Sequence, residues 1–339
     1  MNKLKLLSLI TLLIILSACF PSNPSNKTEV LLQGRTMGTS YNIKVVATQE
    51  QLNELKLQQQ IDEALKQVNQ AMSTYIPSSE ISQFNQSNST EAIEISAGFA
   101  RVLAESIRIG ELTQGKLDVT VGPLVNLWGF GPEQRPETVP NDKLLQETRK
   151  RIGLSNILLE GNQLSKKIPA LYIDLSTIAK GYGVDIVAEL IEANGFFNYL
   201  VEIGGELRVK GFKSTGELWA IAIEKPVSNE RSVQEVIIPK DNAVATSGDY
   251  RNYFEADGER FSHIIDPATG KPIKHNLVSV TVIHPSSMTA DGLSTALMVM
   301  GMEQGLAFAK EHDIAALFIS KRENGFDEHF TVKFKQYFK

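Results

Sequence analysis

The stretch "YLVEIGGELRVKG", residues 199–211, decides the fold class of this sequence. Two short apolar runs of strand-like composition flank Gly204 and Gly205. Adjacent glycines between two such runs are typical of a tight hairpin turn, because glycine readily adopts the positive backbone angles that this turn requires. The two runs are therefore predicted to pair as antiparallel strands.

Further strand-like runs lie on both sides of this hairpin. Upstream, "EVLLQG" and "SYNIKVVA" flank "RTMGT", and downstream most of 198–283 consists of short β-runs. Strands do not alternate regularly with helices, which argues against a doubly wound parallel sheet. The predicted fold class is α+β, with a mixed, antiparallel-rich sheet as the core and helices on its flanks. Periodicity and capping patterns predict helices over 51–72, over 97–112 with Ser96 as N-cap, from about 141, over 176–195 and over 289–311.

The overall composition is that of a globular protein of 339 residues, 42% hydrophobic and 22% charged, with a formal net charge of −5. Proteins that bind nucleic acids carry a basic stripe or patch. The sequence has no such stripe, so no nucleic-acid partner is expected. It also lacks the common nucleotide and zinc fingerprints, since it contains no GxxxxGK(S/T), no GxGxxG after its first strand and no HExxH.

The N-terminal segment has the layout of a secretory signal. Lys3 and Lys5 precede a nearly unbroken apolar run over 6–16, which is too short to span a bilayer comfortably. "LSAC" then matches the lipobox of bacterial lipoproteins, in which Cys19, the only cysteine, is lipidated and becomes the first mature residue. We therefore expect a signal peptide over 1–18, a lipidated tether over 19–28 and a folded domain over 29–339.

The stretch "DLSTIAKGYGVD", residues 174–185, joins the predicted end of a strand at Asp174 to a helix. A helix N-terminus favours an anion, and Lys180, one turn into the helix, is placed to neutralise a phosphate. Gly181 and Gly183 each cost about 1 kcal/mol relative to alanine in a helix. Glycine at these two positions is better explained by close approach of a ligand or of backbone than by any benefit to the helix. Tight packing of the helix on the sheet is the alternative explanation.

A second cluster, "TADGLSTALMVMG", residues 289–301, places Asp291 and Thr295 four residues apart on one face at a helix start. A carboxylate and a hydroxyl suit a hard cation such as Mg²⁺, which prefers oxygen ligands. The same residue types also cap helix N-termini, so metal binding and capping both remain open.

Two weaker signals come from predicted turns in the first third of the chain. "GRTMGTSY", residues 34–41, is either a turn that lets backbone amides approach a ligand or a plain hairpin. In "MSTYIPSSEISQFN", residues 72–85, Tyr75 is presented on a loop, where it either stacks on a flat ring or simply packs.

Two further stretches have the composition of pocket walls. "GKLDVTVGPLVNLWGFGP", residues 115–132, contains Asp118 and is too long and too apolar for a solvent loop, so it either lines a pocket or packs in the core. The turn-rich segment 245–273 contains His263 and a "DPATG" loop that could cover a ligand, although a lone histidine is usually structural.

Seven short motifs, taken in their order along the chain, resemble the ApbE family, the FAD:protein FMN transferases. They are "MSTY", "LDVTVGPLVNLWGFGP", "DLSTIAKGYGVD", "EIGGE", "TSGDYRNYF", "SHIIDPATGKPI" and "ADGLSTAL". The likeness covers about residues 30–320 and includes the lipobox.

The resemblance implies an FAD-binding, Mg²⁺-dependent enzyme, with 29–339 as a flavin transferase catalytic domain. The lipid at Cys19 would hold it on the periplasmic side of the cell inner membrane. Such an enzyme transfers FMN from FAD to a Thr or Ser hydroxyl of a target protein through a phosphoester bond and releases AMP. The implied acceptors are electron-transport subunits, namely NqrB or NqrC of the Na⁺-translocating quinone reductase and RnfG-type subunits.

The resemblance also implies roles for single residues. His263 matches the position that the family uses in catalysis. The residues that match the FAD site are Met37, Tyr75, Lys116, Leu117, Asp118, Asp174, Lys180 and Ile273. Those that match the metal site are Asp291, Thr295, the backbone carbonyl of Ala179 and, nearby, Thr177.

The chemistry of these residues agrees with the resemblance and leaves two alternatives. Attack on a phosphorus of FAD builds negative charge that a cation and Lys180 would stabilise, and a histidine such as His263 suits the transfer of the hydroxyl proton. If water replaced the acceptor hydroxyl, the protein would be an FAD pyrophosphatase. If it bound FAD without chemistry, it would be a lipid-anchored FAD-binding or storage protein.

Overall fold

The computed structural model describes residues 27–132, 139–226, 232–249, 252–256 and 258–339. The predicted signal peptide, 1–18, and all but the last two residues of the predicted tether, 19–28, lie outside the described residues. Those bounds and the lipid at Cys19 therefore stay predictions. The first strand begins at Thr28. No helix within the described ranges is long and apolar enough to cross a membrane.

The secondary-structure elements are numbered along the described chain. The strands are β1 (Thr28–Thr36), β2 (Thr39–Ala47), β3 (Ile93–Glu94), β4 (Ile157–Glu160), β5 (Gln163–Lys166), β6 (Tyr199–Ile203), β7 (Glu206–Lys210), β8 (Ile221–Glu224), β9 (Val233–Ile237), β10 (Ala243–Gly248), β11 (Tyr253–Ala256), β12 (Glu259–Ser262), β13 (Ile265–Asp266), β14 (Lys271–Pro272), β15 (Leu277–His284), β16 (Ala315–Arg322) and β17 (Gly325–Phe330). The helices are α1 (Gln49–Glu54), α2 (Leu57–Met72), α3 (Glu80–Gln86), α4 (Ala97–Leu112), α5 (Gly122–Leu127), α6 (Asp142–Arg149), α7 (Ala179–Ala193) and α8 (Ser287–Glu311).

One large sheet has the strand order β1-β2-β6-β7-β10-β15-β16-β17. The hairpin predicted from 199–211 lies at its centre, where β6 and β7 pair from Tyr199 opposite Lys210 to Ile203 opposite Glu206. Gly204 and Gly205 form the turn, with φ values of 60° and 107° that favour glycine. The predicted α+β class is confirmed. The described strand pairs of this sheet are all antiparallel, so it is not mixed.

The two ends of this sheet carry different features. At one end, here called the proximal end, Thr28 lies opposite Ala47, and Tyr199 lies opposite Lys210. At the other end, here called the turn end, are the β1–β2 turn at 37–38, the β6–β7 turn at 204–205 and the last residue of β10. β1 has nine residues, so the two ends are about 30 Å apart at roughly 3.3 Å per residue.

The helices follow the predicted capping signals more closely than the predicted lengths. α4 spans the predicted residues, and the Ser96 side chain accepts a hydrogen bond from the Phe99 amide. The single helix predicted over 51–72 is wrong, because Lys56 adopts a left-handed conformation (φ 50°) and separates α1 from α2. α8 spans 287–311 but is interrupted at Gly301, whose φ is 77°.

The predicted strand end at Asp174 and helix start near Ser176 are also wrong. Asp174 lies outside the strands, and its Oδ1 accepts a hydrogen bond from the Ser176 amide at 2.9 Å. The amides of Ile178 and Ala179 then bond to the carbonyl of Leu175. This turn delays the start of α7 to Ala179, so Ser176 and Thr177 lie on the turn in front of the helix.

Helices cover one face of the sheet. Ile61 and Leu65 of α2, with Val187 of α7, pack on Ile43 of β2 and Val201 of β6. α8 belongs to the adjoining core, which also includes α4 and the inner side of β15. The opposite face is covered by β8, β9 and the C-terminal 3₁₀ turn Phe334–Tyr337. The start of α7 is thereby placed at the turn end of the sheet, and the first turns of α8 pack against it.

Candidate active site

A cavity of about 360 Å³ lies at the turn end of the sheet, beside the starts of α7 and α8. Ten residues singled out in the sequence line it, although they come from five separate parts of the chain. They are Tyr75, Lys116, Leu117, Asp118, Asp174, Thr177, Lys180, His263, Asp291 and Thr295.

A second cavity of about 570 Å³ adjoins the first and shares four of its wall residues, Tyr75, Asp174, Ser176 and Lys180. Met37 and Ala179, also singled out in the sequence, line this second cavity. Ile273 lines neither cavity. It reaches the site through its backbone, since its amide donates to the carbonyl of Ile264, a wall residue of the first cavity, at 3.0 Å.

Lys180 lies between two carboxylates. Its Nζ is 2.5 Å from Oε1 of Glu206, which is 3% exposed at the start of β7. Burial alone would lower the pKa of Lys180, but the charges of Glu206 and Asp291 outweigh burial and raise it. The ammonium therefore stays protonated at neutral pH and gives the cavity a fixed positive charge.

Asp291 ties the start of α8 to the start of α7. Its Oδ2 accepts a hydrogen bond from the amide of Gly181 at 3.0 Å. A Cβ atom on Gly181 would lie 2.4 Å from the carbonyl oxygen of Ser287, so only glycine permits this approach. The glycine is thus explained by close backbone approach between two helices, one of the explanations considered from the sequence. Burial raises the pKa of Asp291, Glu206 raises it further, and Lys180 opposes both.

Asp185 makes the reverse connection, from α7 to the start of α8. Its carboxylate accepts hydrogen bonds from the amides of Ser287 and Met288, at 2.9 and 3.0 Å, and from the hydroxyl of Ser286 at 2.7 Å. Arg208 also donates to Asp185, at 3.0 Å. Asp185 is 1% exposed. Each helix therefore supplies a carboxylate to the free amides of the other, which fixes the position of Asp291.

Hydroxyl groups cluster where the last strand residues of β10 meet α8. The Ser247 hydroxyl lies 2.8 Å from that of Ser294 and 3.1 Å from that of Thr295. Two buried oxygens at the same cavity, Oγ1 of Thr177 and Oε2 of Glu206, have no hydrogen-bond partner. Within the described ranges, no cluster of three or more His, Cys, Asp and Glu residues is suited to a metal. A cation here would therefore draw on carboxylate, hydroxyl and carbonyl oxygens, the ligands that Mg²⁺ prefers.

His263 follows β12 directly and is held by the backbone carbonyl of Asn252. Its Nδ1 lies 2.9 Å from that oxygen, and a carbonyl only accepts, so Nδ1 carries the proton and Nε2 carries the lone pair. Burial lowers the pKa of His263, the bond to Asn252 opposes this, and the charge of Lys180 lowers it further. The ring is therefore neutral at neutral pH, as a proton acceptor must be.

The remaining predicted residues form the walls. Asp118 Oδ1 accepts from the amide and the hydroxyl of Thr120, at 2.8 and 2.6 Å, and burial raises the pKa of Asp118. Burial also raises the pKa of Asp174. Tyr75 is 67% exposed where the two cavities meet, so its ring is free to cover a flat ligand.

The stretch 115–132 was predicted either to line a pocket or to pack in the core, and part of it lines the first cavity. Its Lys116 Nζ lies 3.7 Å from Oδ1 of Asp266 in the "DPATG" loop. Trp128 is turned away into a separate apolar cluster, where its Nε1 donates to the carbonyl of Gly270. The stretch 115–132 and the "DPATG" loop are thus in contact at two points.

Sequence reasoning missed several residues that the structure brings to the cavity, above all Glu206, Ser247 and Asn252. Glu206 stood in the quoted motif "EIGGE" without a role. Its signal was an acid directly after a hairpin turn at the head of a mostly apolar strand. Ser247 and Asn252 gave no comparable signal, because their roles depend on contacts with α8 and with His263.

The cavity unites a neutral histidine, a charged lysine and a cluster of carboxylate and hydroxyl oxygens, and this combination defines the site of an enzyme that acts on an anionic ligand. The family model of the ApbE family matches residues 37–318. The protein belongs to the ApbE family, which confirms the family expected from the seven motifs.

Curated relatives resemble the chain over nearly its full length. "FAD:protein FMN transferase" of Vibrio cholerae is 54% identical over 325 residues, covering 96% of each chain. The protein of the same name from Haemophilus influenzae is 49% identical over 334 residues, covering 95% of this chain and 94% of the relative. The one from Escherichia coli K12 is 40% identical over 318 residues, covering 92% and 90%.

Solved structures agree with the fold. "Flavin Transferase ApbE from Vibrio cholerae" superposes with a TM-score of 0.85 at 53% identity and covers 92% of this chain and 99% of that one. The apo form of the Pseudomonas stutzeri flavinyl transferase ApbE gives a TM-score of 0.84 at 38% identity, covering 92% and 97%. The α+β fold is thus that of known flavin transferases.

Proposed function

We propose that this protein is an FAD:protein FMN transferase that moves FMN from FAD onto a Thr or Ser hydroxyl of a target protein. The observation that carries the proposal is that ten residues from distant motifs line one cavity, in a chain whose family relatives bear that name. The positive Lys180, the neutral His263 and the exposed Tyr75 ring are the groups that an anionic flavin nucleotide requires.

The proposed reaction forms one bond and breaks one bond at phosphorus. The acceptor hydroxyl oxygen attacks the FMN phosphorus of FAD, the bond to the bridging pyrophosphate oxygen breaks, and AMP leaves. Nε2 of His263 accepts the hydroxyl proton, since Nδ1 already donates to Asn252. Lys180, kept protonated by Glu206, stabilises the negative charge that builds on the phosphate oxygens.

Magnesium fits the oxygen atoms that the cavity offers. Asp291, Thr295, the carbonyl of Ala179 and the nearby Thr177 would hold it, and the unpartnered Oγ1 of Thr177 supports that assignment. Bound there, Mg²⁺ would supply further positive charge to the phosphate oxygens. Thermal unfolding with increasing Mg²⁺ tests the site without an assay of transfer: the wild type should gain stability and Asp291→Ala should not. An equal gain in both would contradict the assignment.

Incubation of the full chain with FAD, Mg²⁺ and a candidate acceptor domain, followed by intact mass measurement of both proteins, tests the function. The acceptor should gain the mass of FMN less water, and AMP should appear in equal amount. An acceptor variant in which the target Thr or Ser is replaced by Ala is the control. Free FMN with an unmodified acceptor would identify an FAD pyrophosphatase, and unchanged FAD would identify a binding protein.

The proposed location is the periplasmic side of the cell inner membrane, with lipid on Cys19. The support is the lipobox "LSAC" after an apolar run. At that location the acceptors would be NqrB, NqrC or RnfG-type subunits. Cys19→Ser should give a soluble or unprocessed form on fractionation. Processed, membrane-bound Cys19→Ser protein would refute the anchor while leaving the transferase proposal intact.

A further inference from the structure

At the proximal end of the sheet, three large apolar side chains close to the ends of β6 and β7 are exposed, and the proposed chemistry does not use them. Phe197 is 53%, Phe212 52% and Leu218 36% exposed. Phe212 and Leu218 are paired in an isolated antiparallel bridge, and the Phe212 amide donates to the side chain of Asn198, the residue after Phe197. These three residues are called the proximal patch.

The patch lies at the end of the sheet where the described chain begins. Phe197 and Phe212 lie just outside the pair Tyr199 and Lys210, at the same end as Thr28. Val332, 86% exposed, lies beyond the end of β17 at this end too. The candidate active site lies toward the opposite, turn end: Glu206, which lines its cavity, precedes Phe212 by six residues, so the two are at most about 22 Å apart.

The length of chain before Thr28 limits how the domain can face a membrane. Thr28 follows the proposed lipid site, Cys19, by nine residues, which reach at most about 30 Å when fully extended. If the turn end faced the bilayer, this segment would be drawn out along the whole length of the domain. If the proximal end faces the bilayer, the segment needs no extension, so the loss of conformational entropy is smaller.

The charges around the patch are largely paired, so the surface offers apolar contact more than net positive charge. Nζ of Lys210 lies 2.8 Å from Oε2 of Glu192, and Nζ of Lys213 lies 3.7 Å from Oε2 of Glu217. Phenylalanine and leucine side chains bury well at the boundary between lipid headgroups and acyl chains. The chemistry of the patch therefore fits that boundary, without a requirement for anionic lipid.

We propose that the proximal patch rests in the headgroup–acyl boundary of the membrane that carries the lipid anchor. The lipid supplies the attachment, and the patch sets the orientation, so that the active site faces away from the bilayer. This inference rests on the proposed anchor at Cys19 but not on the transfer reaction.

The test uses the fact that Cys19 is the only cysteine. Lipidation consumes its sulfur, so Phe212→Cys gives the lipidated full chain a single free thiol for a fluorescent label. Asn324→Cys, on the exposed β16–β17 turn at the opposite end, is the matched control. Both proteins are reconstituted in phosphatidylcholine vesicles that contain lipid with a spin label on the headgroup. Quenching at position 212 should exceed quenching at 324 by at least about two-fold.

Mass measurement and fractionation come first, because they test the lipid anchor separately from the orientation of the domain. A chain without lipid overturns both the anchor and the orientation. A lipidated chain with equal quenching at both positions, or stronger quenching at 324, overturns the orientation alone. Shielding of the label at 212 without quenching by lipid would indicate a protein partner on the patch and would also overturn it. Transfer of FMN should be the same in both labelled proteins.

Discussion

A single backbone carbonyl determines what the ring of His263 can do. Because Asn252 accepts the proton on Nδ1, the lone pair is on Nε2, and burial with the nearby Lys180 charge keeps the ring neutral. His263→Ala should lower the rate of transfer about 10² to 10⁴-fold and leave FAD affinity nearly unchanged. Titration with FAD and timed acceptor flavinylation measure both quantities. Loss of FAD binding in proportion to activity would show that His263 is a binding residue instead.

The lowered pKa of His263 also predicts the pH dependence. Only the neutral ring accepts a proton, so the rate must fall as pH decreases through the pKa of this group. Because that pKa is below its ordinary value of 6.5, activity should hold as the pH falls to about 6.5 and decline only below it. Rates of transfer measured from pH 5 to 8 at saturating FAD test this. A decline that begins near neutral pH would contradict the assignment.

At the scale of elements, two carboxylates join α7 and α8. Asp291 of α8 accepts a hydrogen bond from an amide of α7, and Asp185 of α7 accepts hydrogen bonds from amides of α8. Asp185→Asn should destabilise the fold by about 2–4 kcal/mol, because it weakens hydrogen bonds to buried amides and removes one of the two carboxylates paired with Arg208. Glu189→Gln, on the same helix, removes an ion pair with Arg101 in which both side chains are 44% exposed, and should cost less than about 1 kcal/mol. Urea unfolding of the wild type and both variants measures the change in the free energy of unfolding. Equal losses of this free energy in the two variants would refute the role of Asp185.

The two glycines at the start of α7 should respond differently to alanine. Gly181→Ala places a Cβ against the backbone of Ser287, which should cost about 1–3 kcal/mol despite the better helix propensity of alanine. Gly183→Ala comes too close only to the end of the flexible Met37 side chain, since Ile203 and Leu65 lie at ordinary contact distance, so it should leave the melting temperature nearly unchanged. It should instead weaken FAD binding, because Met37 lines the second cavity. The prediction fails if the melting temperature drops more for Gly183→Ala than for Gly181→Ala.

At the scale of the whole molecule, the features predicted well are those with causes close by in the sequence. The turn at Gly204 and Gly205 and the cap at Ser96 each depend on a few neighbouring residues. The helix break at Lys56 was missed because the apolar spacing continues through it, while the backbone there turns left-handed. The late start of α7 was missed because the Asp174 side chain competes with the helix for the amide of Ser176.

Contacts between distant parts of the chain account for what the sequence did not reveal about the site. Gly181 and Asp291 are 110 residues apart and meet only when both helices pack on the sheet. The pairing of Lys180 with Glu206 likewise depends on where β7 places its first residue. Motifs in the sequence were enough to single out the residues of the site. The hydrogen bonds and ion pairs between them could be seen only in the folded structure.

The strand order has a consequence for the time course of folding. Asn42 on β2 and Glu202 on β6 are neighbours in the sheet but 160 residues apart in the chain. During synthesis or export the β1–β2 hairpin must therefore wait, with one edge unpaired, until nearly half of the chain has followed it. Non-local pairings of this kind make folding slow, and an open strand edge is prone to aggregation. A chain of this topology is most vulnerable before β6 arrives, so helper proteins that shield open strand edges would act on its first half.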